Sequence, residues 1–95
     1  MLNLQILDST MSREMLELVV YSTVRAFRQT KIFKEVAEII KTTMDTVSLI
    51  KGYDWQVVVG ERFGSYVTSG SEGFAFFTVH GAFVLIFLTK SCDDN

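Results

Sequence analysis

The sequence has no proline, one cysteine and one histidine in 95 residues, and only 21% of those residues are charged. Each scarcity removes a class of chemistry. A single cysteine, Cys92, excludes an internal disulfide and fits a reducing, cytosolic compartment. One histidine and one cysteine cannot assemble a Cys/His zinc site, and no carboxylates stand at calcium-loop spacing. His80 falls in a predicted turn and Cys92 in a polar tail, so no Cys–His nucleophilic pair is expected. Asp45 and Asp54 have no evident partner for acid–base work and are read as solvated surface charge. Gly60-Glu61-Arg62-Phe63-Gly64 lacks the GK[ST] ending and following helix of a phosphate loop; its glycines suit a hairpin, as do those of the Gly70/Gly73 loop. No catalytic residues, metal ligands or cofactors are expected.

Charge of either sign is also scarce. Nine basic and eleven acidic residues give a net charge of −2 and a pI near 5.2, without general attraction to nucleic acid or an anionic membrane. The longest apolar run, Ala82 to Leu88, is too short to cross a bilayer. Met1-Leu2-Asn3-Leu4-Gln5 has no basic stretch leading into an apolar one, so no secretory signal is expected. With no proline, repeat, linker or low-complexity tract, one domain over residues 1–95 is expected.

What is abundant is grease. Hydrophobic residues make up 48% of the chain and eight residues are phenylalanine. A monomer of this size buries only about 60–65% of its unfolded surface. So much apolar surface points to an oligomer in which part of the exterior becomes interior.

Periodicity divides the chain in two. Leu2–Leu7 reads as an edge strand leading into a turn at Asp8-Ser9-Thr10. Ser12 is a candidate N-cap with Glu14 in the first turn, and Leu16, Val20, Thr23 and Phe27 recur at helical spacing, predicting a helix over 12–29. Val36, Ile39, Ile40, Thr43, Met44, Val47 and Ile50 predict a second helix over 33–50, closed near Gly52. Beyond Gly52 the period drops to two. Trp55–Val59, Phe63–Thr68, Phe74–Val79 and Phe83–Leu88 are β-branched and aromatic, separated by turn residues, with His80-Gly81 suited to a two-residue hairpin. The fold class is α+β: two helices packed on a largely antiparallel sheet in the order β-α-α-β-β-β-β. Phe83 to Leu88 is apolar on both faces of its strand. Two helices cover one face only, so sheet-to-sheet dimerisation is expected for the other.

From Trp55 onward the motifs are specific. Trp55, Val59-Gly60, Phe63-Gly64-Ser65-Tyr66-Val67-Thr68, Phe74-x-Phe76-Phe77, Gly81 and Leu85-x-Phe87 resemble the dynein light chain family of the eight-kilodalton class. Met11-Ser12-x-Glu14-Met15 and Ile39/Ile40-Lys41 extend the resemblance upstream, with about three extra residues between Asp45 and Trp55. The resemblance implies a strand-exchanged homodimer in which Phe63–Thr68 pairs with the other subunit's sheet, its interface including Gln56, Val58, Phe63, Ser65 and Val67. It also implies two grooves that take an extended client segment as an added strand. Arg62, Phe63, Gly64, Ser65, Tyr66, Val67 and Thr68 would line the groove. Phe74, Phe76, Thr78, Phe83 and Leu85 would complete its floor and wall, and Lys34 would stand where a client glutamine meets the second helix.

This chain departs from the family pattern at several places. Gln56 stands where an interface histidine is frequent, which removes the titrating group. Phe83 replaces a small residue, Thr78 a tyrosine and Phe33 an acidic residue, and Glu61-Arg62 replaces a basic–amide pair. The function implied is a non-catalytic hub that binds peptides of dynein intermediate chain and other clients, without nucleic acid or membrane. Its location would be the cytoplasm, on the microtubule motor, or a cilium or flagellum. The alternative is a fixed structural subunit of an axonemal or motor complex with degenerate grooves.

Overall fold

The computed structural model describes residues 3–48, 50–61 and 73–90. Its elements run β1 (Leu4–Ser9), α1 (Arg13–Gln29), α2 (Phe33–Val47), β2 (Tyr53–Gly60), β3 (Phe74–Val79) and β4 (Ala82–Lys90). The α+β class and two helices on an antiparallel sheet are as expected; the predicted strand Phe63–Thr68 lies outside the described residues.

α1 begins where the cap chemistry put it. The Met15 N–H donates to Ser12 Oγ at 3.2 Å, Glu14 lies in the first turn and Arg28 in the last. Its buried face is Val19, Ser22, Thr23, Ala26 and Phe27. The two hydroxyls donate within the helix, to the Leu18 and Val19 carbonyls, both at 2.9 Å, so neither is stranded in the core.

α2 buries Val36, Ile40 and Met44, one per turn. It ends at Val47, three residues before the expected 50. Ser48 leaves the helical conformation (φ −148°, ψ 62°); its N–H still closes the last helical bond, on the Met44 carbonyl at 2.9 Å, while its carbonyl accepts the Trp55 indole N–H at 2.8 Å. A β2 side chain thus takes one of the carbonyls a helix end leaves unpaired. The chain then turns through Gly52, at φ +87°, a conformation that favours glycine.

All pairing in the sheet is antiparallel, in the order β1-β3-β4-β2. β1 runs past the expected end at Leu7 into the predicted Asp8-Ser9-Thr10 turn, because its ladder with β3 continues through Asp8 and Ser9, past an irregularity between Ile6 and Asp8; Leu2 lies outside the described residues. The predicted His80-Gly81 hairpin joins β3 to β4, with both central residues at positive φ (52° and 84°). That is the backbone of a type I′ turn. β2 pairs with β4 from Tyr53↔Lys90 to Gly60↔Phe83, a contact between segments far apart in sequence.

Directly opposed residues share a face, so the register sorts the side chains. Trp55, Val57 and Val59 of β2, Ala75, Phe77 and Val79 of β3, and Ala82, Val84, Ile86 and Leu88 of β4 meet the buried residues of both helices in the core.

Candidate functional site

The other side of the sheet, turned away from the helices, carries the candidate site. Its cross-strand rungs are Thr78–Phe83–Gly60, then Phe76–Leu85–Val58, then Phe74–Phe87–Gln56. An outward sheet face normally alternates toward polar residues; over β3, β4 and β2 this one is largely aromatic and aliphatic, while β1 adds Gln5 beside Thr78 and Asp8 beside Phe76. Leu85 is 2% exposed, while Phe74, Phe76, Phe83, Phe87 and Val58 are half-buried. The Phe76 and Phe83 rings stack, with centroids 5.8 Å apart and planes 18° apart. The Gln56 side-chain amide donates to Thr89 Oγ1 at 3.4 Å, tying β2 to β4 at the polar end of the face.

The structure therefore brings together Phe74, Phe76, Thr78, Phe83, Leu85, Gln56 and Val58. Lys34 stands apart, exposed, as the second residue of α2 in the helix layer. Arg62, Phe63, Gly64, Ser65, Tyr66, Val67 and Thr68 lie outside the described residues. Phe87 and Gly60 were not among the expected site residues, yet the register puts both on the face. For Phe87 the signal was legible: it continues the two-residue period from Phe83 and Leu85.

The start of α2 is chemically unusual. Its N-cap is Ile32, which has no side-chain acceptor to offer. The nearby Thr30 hydroxyl accepts the Ile32 N–H at 3.1 Å and donates to Glu35 Oε1 at 2.7 Å. The first N–H groups of α2 thus lack a side-chain cap, at the positive end of the helix dipole and beside the Lys34 ammonium.

A cavity of about 550 Å³ lies between the α1–α2 connection and the β3–β4 hairpin, walled by Phe27, Phe33, Val79 and Ala82, with Lys31 and His80 also lining it. Among the described residues no group of three or more His, Cys, Asp or Glu side chains is placed to hold a metal ion. No described helix is long and apolar enough to cross a membrane.

A family model described as dynein light chain type 1 matches residues 3–89. The chain is 37% identical over 81 residues to dynein light chain 1, cytoplasmic, of Candida glabrata, covering 85% of this chain and 91% of that one. It is 34% identical over 86 residues to dynein light chain, cytoplasmic, of Emericella nidulans, covering 90% and 88%. Among solved structures, the dynein light chain-like domain of a Fasciola hepatica calcium-binding protein superposes with a TM-score of 0.68 at 23% identity, covering 93% of each chain. At that identity the likeness speaks for the fold alone.

Proposed function

The chain belongs to the dynein light chain family, and from that premise we propose that it works as a homodimeric, non-catalytic adaptor that holds extended segments of partner proteins. The whole chain acts as one domain. The observation that carries this is the apolar sheet face of Phe74, Phe76, Phe83, Leu85, Phe87 and Val58, opposite the face the helices cover. A second copy buries it. The same association supplies what one protomer lacks, because Lys34 and the uncapped α2 N-terminus stand in the helix layer. In a dimer the partner's α2 start flanks the groove, where its N–H groups meet a carbonyl of the client.

The client lies in the groove as an added antiparallel strand: backbone hydrogen bonds supply affinity and the floor of Phe74, Phe76, Thr78, Phe83 and Leu85 supplies selectivity. The second wall is Arg62, Phe63, Gly64, Ser65, Tyr66, Val67 and Thr68; Phe63, Ser65 and Val67 join Gln56 and Val58 at the dimer interface. Two grooves engage two parallel client chains, a gain of about a hundredfold or more over one groove. Dynein intermediate chain is the first client to try. The fungal relatives are named cytoplasmic, which supports the cytoplasm and the microtubule motor rather than a cilium.

Tyr66→Ala and Thr68→Ala should each weaken peptide binding by calorimetry while leaving the far-UV circular dichroism unchanged. Unaltered affinity in both variants removes the groove from this place. One observation favours the alternative of a fixed subunit with filled grooves: the stacked Phe76–Phe83 pair thickens the floor. A peptide array probed with the isolated protein separates the two, since a fixed subunit gives no selective hits.

A further inference from the structure

Positive charge is unevenly spread along this chain. Residues 18–34 hold Arg25, Arg28, Lys31 and Lys34 and no acid, a local balance of +4 in a chain whose net charge is −2. All four are exposed, and among the described residues none of them is in an ion pair. An exposed cation is ordinarily just solvated. What distinguishes Arg25 and Arg28 is the surface on which they stand.

α1 turns Val19, Ser22, Thr23, Ala26 and Phe27 to the core. At about 100° per residue, Tyr21 and Arg28 fall on the opposite side of the helix, with Val20 and Val24 on one flank and Arg25 on the other. Tyr21 is 52% exposed, and Val20 and Val24 are half-buried without joining the core cluster. Tyr21, Val24, Arg25 and Arg28 border a hollow of about 370 Å³, and Leu16 and Val20 border another of about 270 Å³. Leu16, Val20 and Val24 thus make a ridge at four-residue spacing, the kind against which a second helix packs. Arg25 Nη1 donates to the Tyr21 hydroxyl at 3.3 Å, which steadies the guanidinium and leaves its other N–H groups for a planar acceptor. Glu38 of α2 shares a neighbouring hollow with Arg25 but makes no ion pair with it. At the other end of α1, Arg13 pairs with Glu17 at 3.7 Å. The unpaired positive charge is therefore concentrated beside Tyr21 and Val24.

We infer that the outward face of α1 is a second interaction surface, which takes an amphipathic helix of a partner protein carrying Asp or Glu beside its apolar stripe. The stripe packs along Val20, Tyr21 and Val24, and the carboxylates meet the Arg25 and Arg28 guanidiniums, a pairing that bidentate geometry favours. A second copy of this chain fits less well, because the acids of its α1 are Glu14 and Glu17, and Glu17 is taken by Arg13. This surface does not depend on the adaptor role proposed above. It lies in the helix layer, across the sheet from the apolar sheet face.

The test uses the full chain and a synthetic peptide of about 20 residues, long enough to hold a helix alone. The peptide has Leu at alternating third and fourth positions with Glu on both flanks, and a counterpart carries Lys in place of Glu. By calorimetry the wild type should bind the Glu peptide in preference to the Lys peptide. Arg25→Glu/Arg28→Glu should bind the Glu peptide about tenfold more weakly and prefer the Lys peptide. Arg25→Gln/Arg28→Gln, which puts no acid at the helix C-terminus, should erase the preference even where the reversed pair fails to fold. Tyr21→Ala should weaken binding in a way that added salt does not alter, whereas salt should remove the contribution of the arginines. Equal affinity of the wild type for the two peptides, or for neither, overturns the inference. So does tighter binding to duplex DNA or to vesicles of anionic lipid than to the Glu peptide. A dimer whose sedimentation shifts to monomer in Arg25→Gln/Arg28→Gln makes a second copy the occupant and also overturns it. Capture of extended peptides in the sheet-face groove should be the same in all these variants, so failure here leaves the adaptor role standing.

Discussion

At the scale of single residues, Trp55 is the joint between the helix layer and the sheet. Its ring is 1% exposed and its N–H is committed to the Ser48 carbonyl. Trp55→Phe keeps most of the apolar contact but leaves that carbonyl without its donor, and should cost about 1–2 kcal/mol in urea unfolding. His80 works in the opposite sense. It holds φ +52° in the β3–β4 turn, which a β-carbon disfavours, while its N–H donates to the Asn3 carbonyl at 3.0 Å. His80→Asn gives the Asn-Gly pair that type I′ turns favour, keeps the backbone bond, and should stabilise the protein by roughly 0.5–1 kcal/mol in urea unfolding. The turn was legible in the two letters His-Gly. The Trp55–Ser48 bond was not, since nothing local couples an indole to a helix end seven residues earlier.

At the scale of elements, the two helices start differently. α1 has the serine cap its sequence announces, whereas α2 starts behind an isoleucine. A helix that leaves about 1 kcal/mol of cap energy unused has either a poor sequence or another acceptor in prospect. Ile32→Asp distinguishes these. An internal carboxylate cap should stabilise the protein by about 1 kcal/mol. If the α2 N-terminus receives a client carbonyl, the same change should weaken peptide capture, so stability and affinity move in opposite directions. A rise in both dissociates α2 from the groove. The helix spans themselves were readable to within three residues, because the 3.6-residue period is a local property. At the end of α2 the Ser48 carbonyl meets a partner from β2, which no local pattern announces.

At the scale of the whole molecule, the sheet has one face in the core and a second, largely apolar face that the two helices do not cover. Val58 lies on the second face in the terminal strand β2, between Gln56 and Gly60 and opposite Leu85. Val58→Lys puts a charge there without touching the helix-side core. Where the proposed dimer forms through this face, that change should shift the sedimentation of the purified protein from dimer to monomer and make melting, concentration-dependent in the wild type, independent of concentration. An unchanged dimer would put the association on another surface. The excess of hydrophobic residues is what the expectation of a second buried surface rests on.

Local signals in the chain determine the helices, the hairpin turn and the α+β class, because helical and strand periods, caps and turn residues act over a few positions. Only the tertiary structure decides that β2 pairs with β4, that Thr78 and Phe83 face each other, and that Phe74, Phe76, Leu85 and Val58 share a surface from which Lys34 is absent. Those facts follow from register between segments up to dozens of residues apart. A shift of one residue in that register would exchange the two faces while leaving every local pattern as it stands.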